Sequence, residues 1–281
     1  LFIGFSGRIL IESKLQNKNP LIFSFPHSGY VYNKSFLKST TLDINELRKS
    51  EDLYVDEMFL ESLNLGYSYL KAMFPRVFVD VNRHPLELDP SMFSFVIKKN
   101  NFTDKSKINY GIGLISKYSV YGNKIYYDLL SKSDLRNRLL QYYFPYHNTL
   151  KYIIKTLQKT HKSLLILDCH SMPSNSVKNK DIDIVLGNNM GISISQSLFL
   201  NIKNIFIEHG FNIKVNKPYS GGFITKYYGN PKNGINVIQI EINRSKYINE
   251  YSLEKNIGNM DRISCLMQSI VKDINKVMLK I

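Results

Sequence analysis

Four short, almost wholly apolar runs in the chain each end in a polar cluster, and this pattern restricts the fold more than any other feature. Runs of this length and composition are typical of buried strands. The runs are residues 21–25, 77–79, 164–167 and 237–240, and the clusters are Pro26–Gly29, Asp80–Arg83, Asp168–Ser171 and Glu241–Arg244. In an open α/β sheet, ligands bind beyond the carboxyl ends of the strands. The pattern therefore predicts one crevice with two histidines, a glutamate and arginines, a set that suits metal-assisted hydrolysis of an anionic substrate.

Strand-like and helix-like segments alternate along the rest of the chain. The alternation predicts an α/β fold in which residues 1–281 form a single domain with helices on both faces of the sheet. Two long loops rich in Gly or Pro, residues 84–125 and 216–234, are the predicted active-site loops. Further strands are predicted at 69–74, 76–81, 182–186 and 211–215, and helices at 44–63, 133–159 (kinked near Pro145), 193–209 and 252–280.

Composition excludes several classes of protein. The net charge is +14, but most of the basic residues are lysines scattered along the chain, so we expect no nucleic-acid partner. No run approaches the roughly 20 apolar residues of a membrane span, and the apolar start Leu1–Phe5 is too short, and lacks a preceding basic segment, for a signal peptide. Two cysteines do not make a disulfide framework. We therefore expect a reduced, cytoplasmic protein without a membrane partner, and the oligomeric state stays open.

The two histidines are candidate metal ligands. His27 and His170 both follow strand-like runs, where the backbone would hold an imidazole rigidly, although each could instead be a hydrogen-bonded turn histidine. Asp168 would point to the same side of its strand as His170 and could orient it. A third ligand could come from the acidic residues of helix 44–63, although acidic residues on a helix more often face solvent. Here Asp52 and Asp56 are the candidates.

Glu241 and the arginines are candidates for the chemistry itself. Glu241 ends an apolar strand, where a carboxylate is a candidate general base or else a partner of Arg244 or Arg83. Arg83, beside Asn82, carries the planar fork that suits a carboxylate, and Arg76 could polarise a carbonyl oxygen. Either arginine could instead form a structural ion pair. The Gly221-Gly222 loop predicts exposed backbone N–H groups.

At these residues the chain resembles the N-formylglutamate amidohydrolase family. The resemblance covers roughly residues 20–275 and its motifs follow in order along the chain. They are PHSG at 26–29, SEDLYVDEMF at 50–59, PRVFVDVNRHPLELDPSMF at 75–93, PYH at 145–147, LDCHSMPS at 167–174, DIVLG at 183–187, NKPYSGGFITKYYGNP at 216–231 and QIEINRSKY at 239–247.

The resemblance implies a fold similar to zinc-dependent exopeptidases, with one mixed sheet between helices. It also implies hydrolysis of N-formylglutamate to formate and glutamate in histidine breakdown, with one zinc per chain. Related exopeptidases use His-x-x-Glu, whose Glu falls on Tyr30 here, so the acidic ligand moves to Asp52, with Asp56 as the alternative. The residues implied are His27, Asp52 and His170 for the metal, Glu241 and Arg76 for catalysis, and Asn82, Arg83, Gly221, Gly222 and Thr225 for the substrate.

Two other functions remain open at this point. A zinc carboxypeptidase or peptidoglycan amidase would use the same kind of metal site in a wider cleft. A relative that has lost catalysis would keep only the metal or the ligand pocket. The joint presence of His27, His170 and Glu241 favours an enzyme.

Overall fold

The computed structural model describes residues 2–5, 8–16, 19–97, 108, 110–177 and 181–281. Eight strands form one sheet in the order β1-β2-β4-β3-β5-β8-β6-β7. The four central strands, β4, β3, β5 and β8, run parallel, and β6 returns antiparallel beside β8. The strands are β1 (Phe2–Phe5), β2 (Arg8–Lys14), β3 (Leu21–Phe25), β4 (Ser68–Ala72), β5 (Leu164–Met172), β6 (Ile184–Gly187), β7 (Ile213–Val215) and β8 (Ile235–Asn243).

Nine α-helices lie in the described residues, together with a π-helical turn at Leu139–Tyr143. This turn joins two α-helices, and together they form the helix that was predicted over residues 133–159 with a kink near Pro145. The α-helices are α1 (Lys34–Ser39), α2 (Ile44–Arg48), α3 (Val55–Met58), α4 (Leu60–Asn64), α5 (Lys132–Arg138), α6 (Phe144–Leu157), α7 (Gln196–Glu208), α8 (Phe223–Tyr228) and α9 (Ile257–Met278).

Helices pack on both faces of the sheet. Alternate residues of each strand point to opposite faces, so both faces carry apolar side chains that the helices bury. On β5, Leu165 and Leu167 pack with α3, α4, α7 and α9, whereas Leu164 and Ile166 pack with α1, α5, α6 and α8. The predicted α/β fold, a mixed sheet with helices on both faces, is confirmed. The extension of a single domain over residues 1–281 stays a prediction.

Two predicted elements are wrong, and both lie at the crevice. The predicted helix 44–63 is broken into α2, α3 and α4. Between α2 and α3 the chain makes turns, and Tyr54 takes the left-handed conformation with φ of 61°, which a continuous helix excludes. The predicted strand 76–81 is a series of turns, because Pro75 starts a turn that the Phe78 N–H closes on the Pro75 carbonyl.

The remaining differences lie at the edge of the sheet and in the loops. Strands β1 and β2 were not predicted, and neither was α1, which lies between β3 and α2. The described part of loop 84–125 holds one short 3₁₀ turn, Pro90–Met92, among irregular backbone. Residues 98–107 and 109 of that predicted loop lie outside the described residues. Within the described ranges, no helix has the length and apolar character needed to cross a membrane.

Candidate active site

The sheet brings the two predicted histidine ligands together. His27 lies two residues after the end of β3, and His170 lies on the neighbouring parallel strand β5, with Ser24 opposite Asp168 in the register. The two imidazole rings have centroids 4.7 Å apart, and both residues are buried. Asp52 reaches them from the turn between α2 and α3, where its backbone N–H donates to the His27 carbonyl. One atom from each side chain lies within 4.8 Å of the others, a group able to hold a metal ion.

The atoms that meet fit a tetrahedral metal. Asp52 Oδ2 lies 2.9 Å from His170 Nδ1 and 3.3 Å from His27 Nδ1. Ligand bonds of about 2.0–2.1 Å around a tetrahedral zinc put neighbouring ligand atoms roughly 3.3 Å apart. Among the described residues, the His27 Nδ1 atom is buried without a hydrogen-bond partner. A buried nitrogen left unbonded is costly unless a ligand satisfies it.

Two aspartates face the far sides of the imidazoles. Asp80 Oδ1 lies 2.6 Å from His27 Nε2, and Asp168 Oδ2 lies 3.1 Å from His170 Nε2. Carboxylates can only accept, so Asp80 and Asp168 each favour a proton on the Nε2 atom that they face, and the NH₂ group of Asn82 also lies 3.0 Å from His170 Nε2. With the protons on Nε2, both Nδ1 atoms would be available to a cation at Asp52, which is the arrangement of carboxylate–histidine–metal sites.

Asp52, and not Asp56, is the carboxylate that meets the two histidines. The other carboxylate oxygen of Asp52, Oδ1, accepts from Ser171 Oγ at 3.2 Å and from Arg244 Nη2 at 3.1 Å. Burial opposes ionisation of Asp52, but the neighbouring His170 and His27 outweigh it and hold the pKa of the Asp52 carboxyl well below its usual range. Asp56 instead forms an ion pair with Lys71, so its carboxylate lies outside the metal group.

Glu241 lies beside the histidines on the next strand. It pairs with His170 in the parallel register of β8 and β5, inside the strand and not at its end as predicted. The residue is 7% exposed, and burial raises the pKa of its carboxyl to about 8. Gln239, two residues earlier, donates from Nε2 to Glu241 Oε1 at 2.7 Å. A buried carboxyl with a near-neutral pKa beside a metal group is typical of an acid–base residue.

Both predicted arginines converge on Asp80. Arg76 Nη2 donates to Asp80 Oδ2 at 3.0 Å, and Arg83 Nε lies 3.7 Å from the same oxygen. The ion pairs to His27 and these arginines keep the pKa of Asp80 far below its usual range, although burial opposes this. Each arginine therefore makes a structural ion pair, which was the alternative role considered for it in the sequence analysis. Arg83, at the longer distance, is held less firmly.

Two of the predicted substrate residues, Asn82 and Gly222, already make hydrogen bonds within the protein, at loop 216–234. Asn82 Oδ1 accepts from the Ile224 N–H at 2.7 Å, and Asn82 Nδ2 donates to Asp168 Oδ2 at 3.2 Å. The Gly222 N–H donates to Gln239 Oε1 at 2.6 Å. Gly221 takes φ of 129°, and a Cβ there would press on Thr225, whose Oγ1 is buried without a partner. Asn82 and Gly222 thus position the loop, and substrate binding by these residues stays a prediction.

Sequence reasoning did not predict the contacts of four residues that hold the site in place, although it named Arg244 as a possible partner of Glu241. Asp80 orients His27, Gln239 contacts Glu241, and Ser171 and Arg244 fix Asp52. Gln239 could have been found, because strand residues two apart share a face and Glu241 was already a candidate. The partners of Asp52 could not, since its place in a turn was not predicted.

A cavity of about 370 Å³ lies next to the chain neighbours of two metal-group residues, although the side chains of the metal group and Glu241 are not among the residues that line it. Its lining includes Ser28 and Glu51, the chain neighbours of His27 and Asp52. Among the described residues, Ser28 Oγ is buried without a hydrogen-bond partner, and Tyr30 and Tyr32 form part of the wall.

Comparison with known proteins gives the same family as the motifs. A family model described as N-formylglutamate amidohydrolase matches residues 19–248. An N-formylglutamate deformylase from Pseudomonas putida is 26% identical over 244 residues, 84% of each chain. Another from Pseudomonas aeruginosa is 24% identical over 237 residues, covering 82% of this chain and 83% of the relative.

A solved structure agrees over nearly the whole chain. The crystal structure of N-formylglutamate amidohydrolase from Ralstonia eutropha JMP134 superposes with a TM-score of 0.89 at 26% identity, covering 96% of this chain and 98% of that chain. The chain therefore belongs to the N-formylglutamate amidohydrolase family, which confirms the predicted family and the predicted class, a hydrolase of amide bonds.

Proposed function

We propose that the chain is a zinc-dependent deformylase that hydrolyses N-formylglutamate, or a closely related N-acyl amino acid, to formate and the free amino acid. The observation that carries the proposal is the convergence of His27, Asp52 and His170 beside a buried Glu241, in a member of this family. A cytoplasmic location and a place in histidine breakdown belong to the same proposal. They follow from the predicted substrate and the absence of a disulfide framework in the sequence.

The three ligands would hold one zinc ion. Two imidazole nitrogens and one carboxylate oxygen are a common catalytic zinc set, with one coordination position left open. Bound zinc lowers the pKa of water and polarises a carbonyl oxygen. Asp80 and Asp168 would keep both imidazoles in the tautomer that presents Nδ1, and Arg244 would keep Asp52 ionised and correctly turned.

Glu241 would move the proton. The attacking water adds to the formyl carbon, its proton passes to the Glu241 carboxylate, and Glu241 then protonates the nitrogen as the C–N bond breaks. The pKa of about 8 in the metal-free protein comes from burial. A nearby cation favours the ionised carboxylate and would lower that pKa toward the range where the residue accepts a proton at neutral pH.

The two arginines would receive the negative charges of the substrate and transition state. Arg76 is 24% exposed at its side chain and held by Asp80, so it is a fixed positive charge for the developing oxyanion. Arg83 makes the longer contact to Asp80 and could turn its fork toward the substrate carboxylate. That carboxylate would fix the position of the formyl carbon.

Metal analysis together with formate release tests the proposal. Protein purified without chelators should carry about one zinc per chain and release formate from N-formylglutamate faster than from neutral N-formyl amino acids. Glu241→Gln should keep the zinc and the fold but lose about 10²–10⁴-fold in kcat. Glu254→Gln, an exposed residue outside the site, is the matched control.

Three outcomes would contradict parts of the proposal. Full activity of Glu241→Gln would remove that residue from the mechanism. Protein without stoichiometric zinc that still releases formate would remove the metal. Release of terminal amino acids from peptides, without formate release from any formyl amino acid, would favour the carboxypeptidase or amidase alternative.

A further inference from the structure

Glu241 receives its side-chain hydrogen bond from a residue that the proposed mechanism does not use. Among the described residues, Gln239 Nε2 donates to Glu241 Oε1 at 2.7 Å, and Gln239 is itself 4% exposed. The two side chains share a face of β8 because they are two residues apart. On the neighbouring strand, Asp168 and His170 occupy the paired positions. Gln239 therefore occupies the same position relative to Glu241 that Asp168 occupies relative to His170, two residues earlier on its strand.

The contacts fix the orientation of the Gln239 amide. Its Oε1 atom accepts the Gly222 N–H at 2.6 Å. A backbone N–H can only donate, so the amide oxygen must face Gly222 and the NH₂ group must face Glu241. The carboxyl oxygen Oε1 of Glu241 must then accept. A proton on Glu241 consequently resides on the other oxygen, Oε2.

Gly222 is a firm anchor for the other end of the amide. It precedes α8, and the next two backbone N–H groups are both taken by Asn82: Phe223 N–H by the Asn82 carbonyl at 3.1 Å and Ile224 N–H by Oδ1 at 2.7 Å. A Cβ at Gly222 would lie 2.5 Å from the Asn82 amide, so the approach is close. The start of α8 is thus held on two sides, by Asn82 and by Gln239.

We infer that Gln239 is a positioning residue for the general base: it binds Oε1 of Glu241 and leaves Oε2 as the atom that accepts and returns the proton. The inference rests on the proposed function for its catalytic meaning. The loop that ends at Gly222 sets the position of Gln239, and Gln239 sets the rotation of the Glu241 carboxyl. A carboxyl free to rotate would present either oxygen, and its proton transfer would be less often in line.

Kinetics of two substitutions test the inference. Gln239→Met keeps the length of the side chain and removes both hydrogen bonds, whereas Gln239→Glu keeps an acceptor for Gly222 and removes the NH₂ donor. We expect both to lower kcat on N-formylglutamate by about 10–100-fold with KM changed less than about twofold. Gln158→Met, at an exposed position, is the control.

The double variant separates positioning from a structural role. In a Glu241→Gln background, Gln239→Met should cause no further loss beyond about twofold, since the residue acts through Glu241. An equal loss in both backgrounds would overturn the inference. So would normal kcat for Gln239→Glu, because the loop contact alone would then suffice.

Infrared spectroscopy tests the contact without any substrate. The difference between wild type and Glu241→Gln, in full-length metal-free protein at pH 6, isolates the C=O stretch of the protonated Glu241 carboxyl. Gln239→Met should move that band to higher wavenumber, because the carbonyl oxygen loses an accepted hydrogen bond. An unmoved band overturns the inference whatever the enzyme's substrate. If the band moves but the enzyme releases formate from none of the substrates tested, the proposed function is rejected, whereas the contact between Gln239 and Glu241 is retained.

Discussion

The Oδ2 atom of Asp52 lies 2.9 Å from Nδ1 of His170, although 118 residues separate the two in the chain. The contact joins a turn on one side of the sheet to a central strand. It is completed by His27, whose Nδ1 lies 3.3 Å from the same oxygen. One carboxylate oxygen thus faces two imidazole nitrogens, and the geometry of the metal group depends on how that oxygen is held.

Removing the charge of Asp52 should empty the metal group. Asp52→Asn keeps the shape of the side chain but replaces an anionic ligand by a neutral amide, so we expect zinc affinity to fall by at least about 100-fold. Competition with a chromogenic chelator measures the affinity. Asp56→Asn, whose parent residue pairs with Lys71 outside the group, is the matched control and should keep the zinc. Equal loss in the two variants would assign the metal elsewhere.

Asp80 should contribute to metal binding without touching the metal. Its Oδ1 lies 2.6 Å from His27 Nε2. Asp80→Asn replaces the charged acceptor that holds the His27 tautomer by a neutral amide, and such orienting carboxylates are worth about 10–100-fold in metal affinity. The same chelator competition measures the change. Unchanged affinity, with zinc still bound, would show that Arg76 and Arg83 are the partners that matter to Asp80.

The sequence was sufficient to predict residues whose position depends on strands alone. His27 and His170 follow or lie in strands of strongly apolar sequence, so their meeting at one edge followed from parallel strand order. Glu241 was predicted beside them for the same reason, although β8 runs two residues past it. The strand continues past Glu241 because β5 and β6 pair with its two edges there through backbone hydrogen bonds.

Residues that depend on turns could not be placed in this way. Asp52 was expected on a helix, where it would face solvent, but α2 ends at Arg48 and the left-handed Tyr54 redirects the chain. The apolar run 77–79 looked like a strand, but its neighbours are turns that bring Asp80 to His27. In both places tertiary hydrogen bonds outweigh local propensity, and no pattern in the sequence reports them.

Stability should fall in mild acid because of His147. This buried residue donates from Nε2 to the Val81 carbonyl at 2.9 Å and accepts from the Tyr228 hydroxyl through Nδ1 at 2.9 Å. Burial lowers the pKa of His147 to about 4. Between pH ~6.5 and pH 4, His147 is therefore protonated in the unfolded chain but not in the folded chain. The stability that the neutral imidazole contributes above pH ~6.5 is lost as the pH falls toward 4.

The size of this loss can be measured by urea unfolding. The shift in pKa corresponds to about 3 kcal/mol of unfolding free energy between neutral pH and pH 4. His147→Gln should be less stable at neutral pH but should show a flatter pH dependence over the same window. The difference between the two proteins isolates His147 from other titrating groups, and chelated samples remove the effect of metal binding. Parallel curves for both proteins would contradict the assignment.

A methyl group at Gly222 should disturb the start of α8. The added Cβ would lie 2.5 Å from the Asn82 amide, which is already bonded to Ile224 and Asp168. Gly222→Ala should cost about 1–3 kcal/mol of unfolding free energy through overpacking. Gly258→Ala, in α9 with open space around the site of the methyl, should be neutral or stabilising by up to about 1 kcal/mol. Thermal unfolding of both variants decides, and a stable Gly222→Ala protein would mean that Asn82 yields easily.

Arg83 should determine which substrates the enzyme prefers. Its guanidinium Nε lies 3.7 Å from Asp80 Oδ2, a contact long enough to allow the fork to turn toward an incoming carboxylate. Lysine keeps the charge but cannot make two parallel hydrogen bonds. Arg83→Lys should therefore lower kcat/KM for N-formylglutamate by about 10–100-fold, or about 1.4–2.7 kcal/mol of transition-state binding. Arg136→Lys, at an exposed position on α5, is the control.

A neutral formyl amide separates substrate recognition from structural pairing at Arg83. If the arginine binds the substrate carboxylate, the neutral analogue is a poor substrate for wild type and is used equally poorly by Arg83→Lys, because the lost fork has no partner in either case. Comparable wild-type rates on charged and neutral analogues would leave Arg83 only its ion pair with Asp80. The defect of Arg83→Lys would then appear as weaker zinc binding through Asp80 and His27, which the chelator competition detects. Substrate recognition would then have to be sought in other residues, such as those that line the cavity beside Ser28.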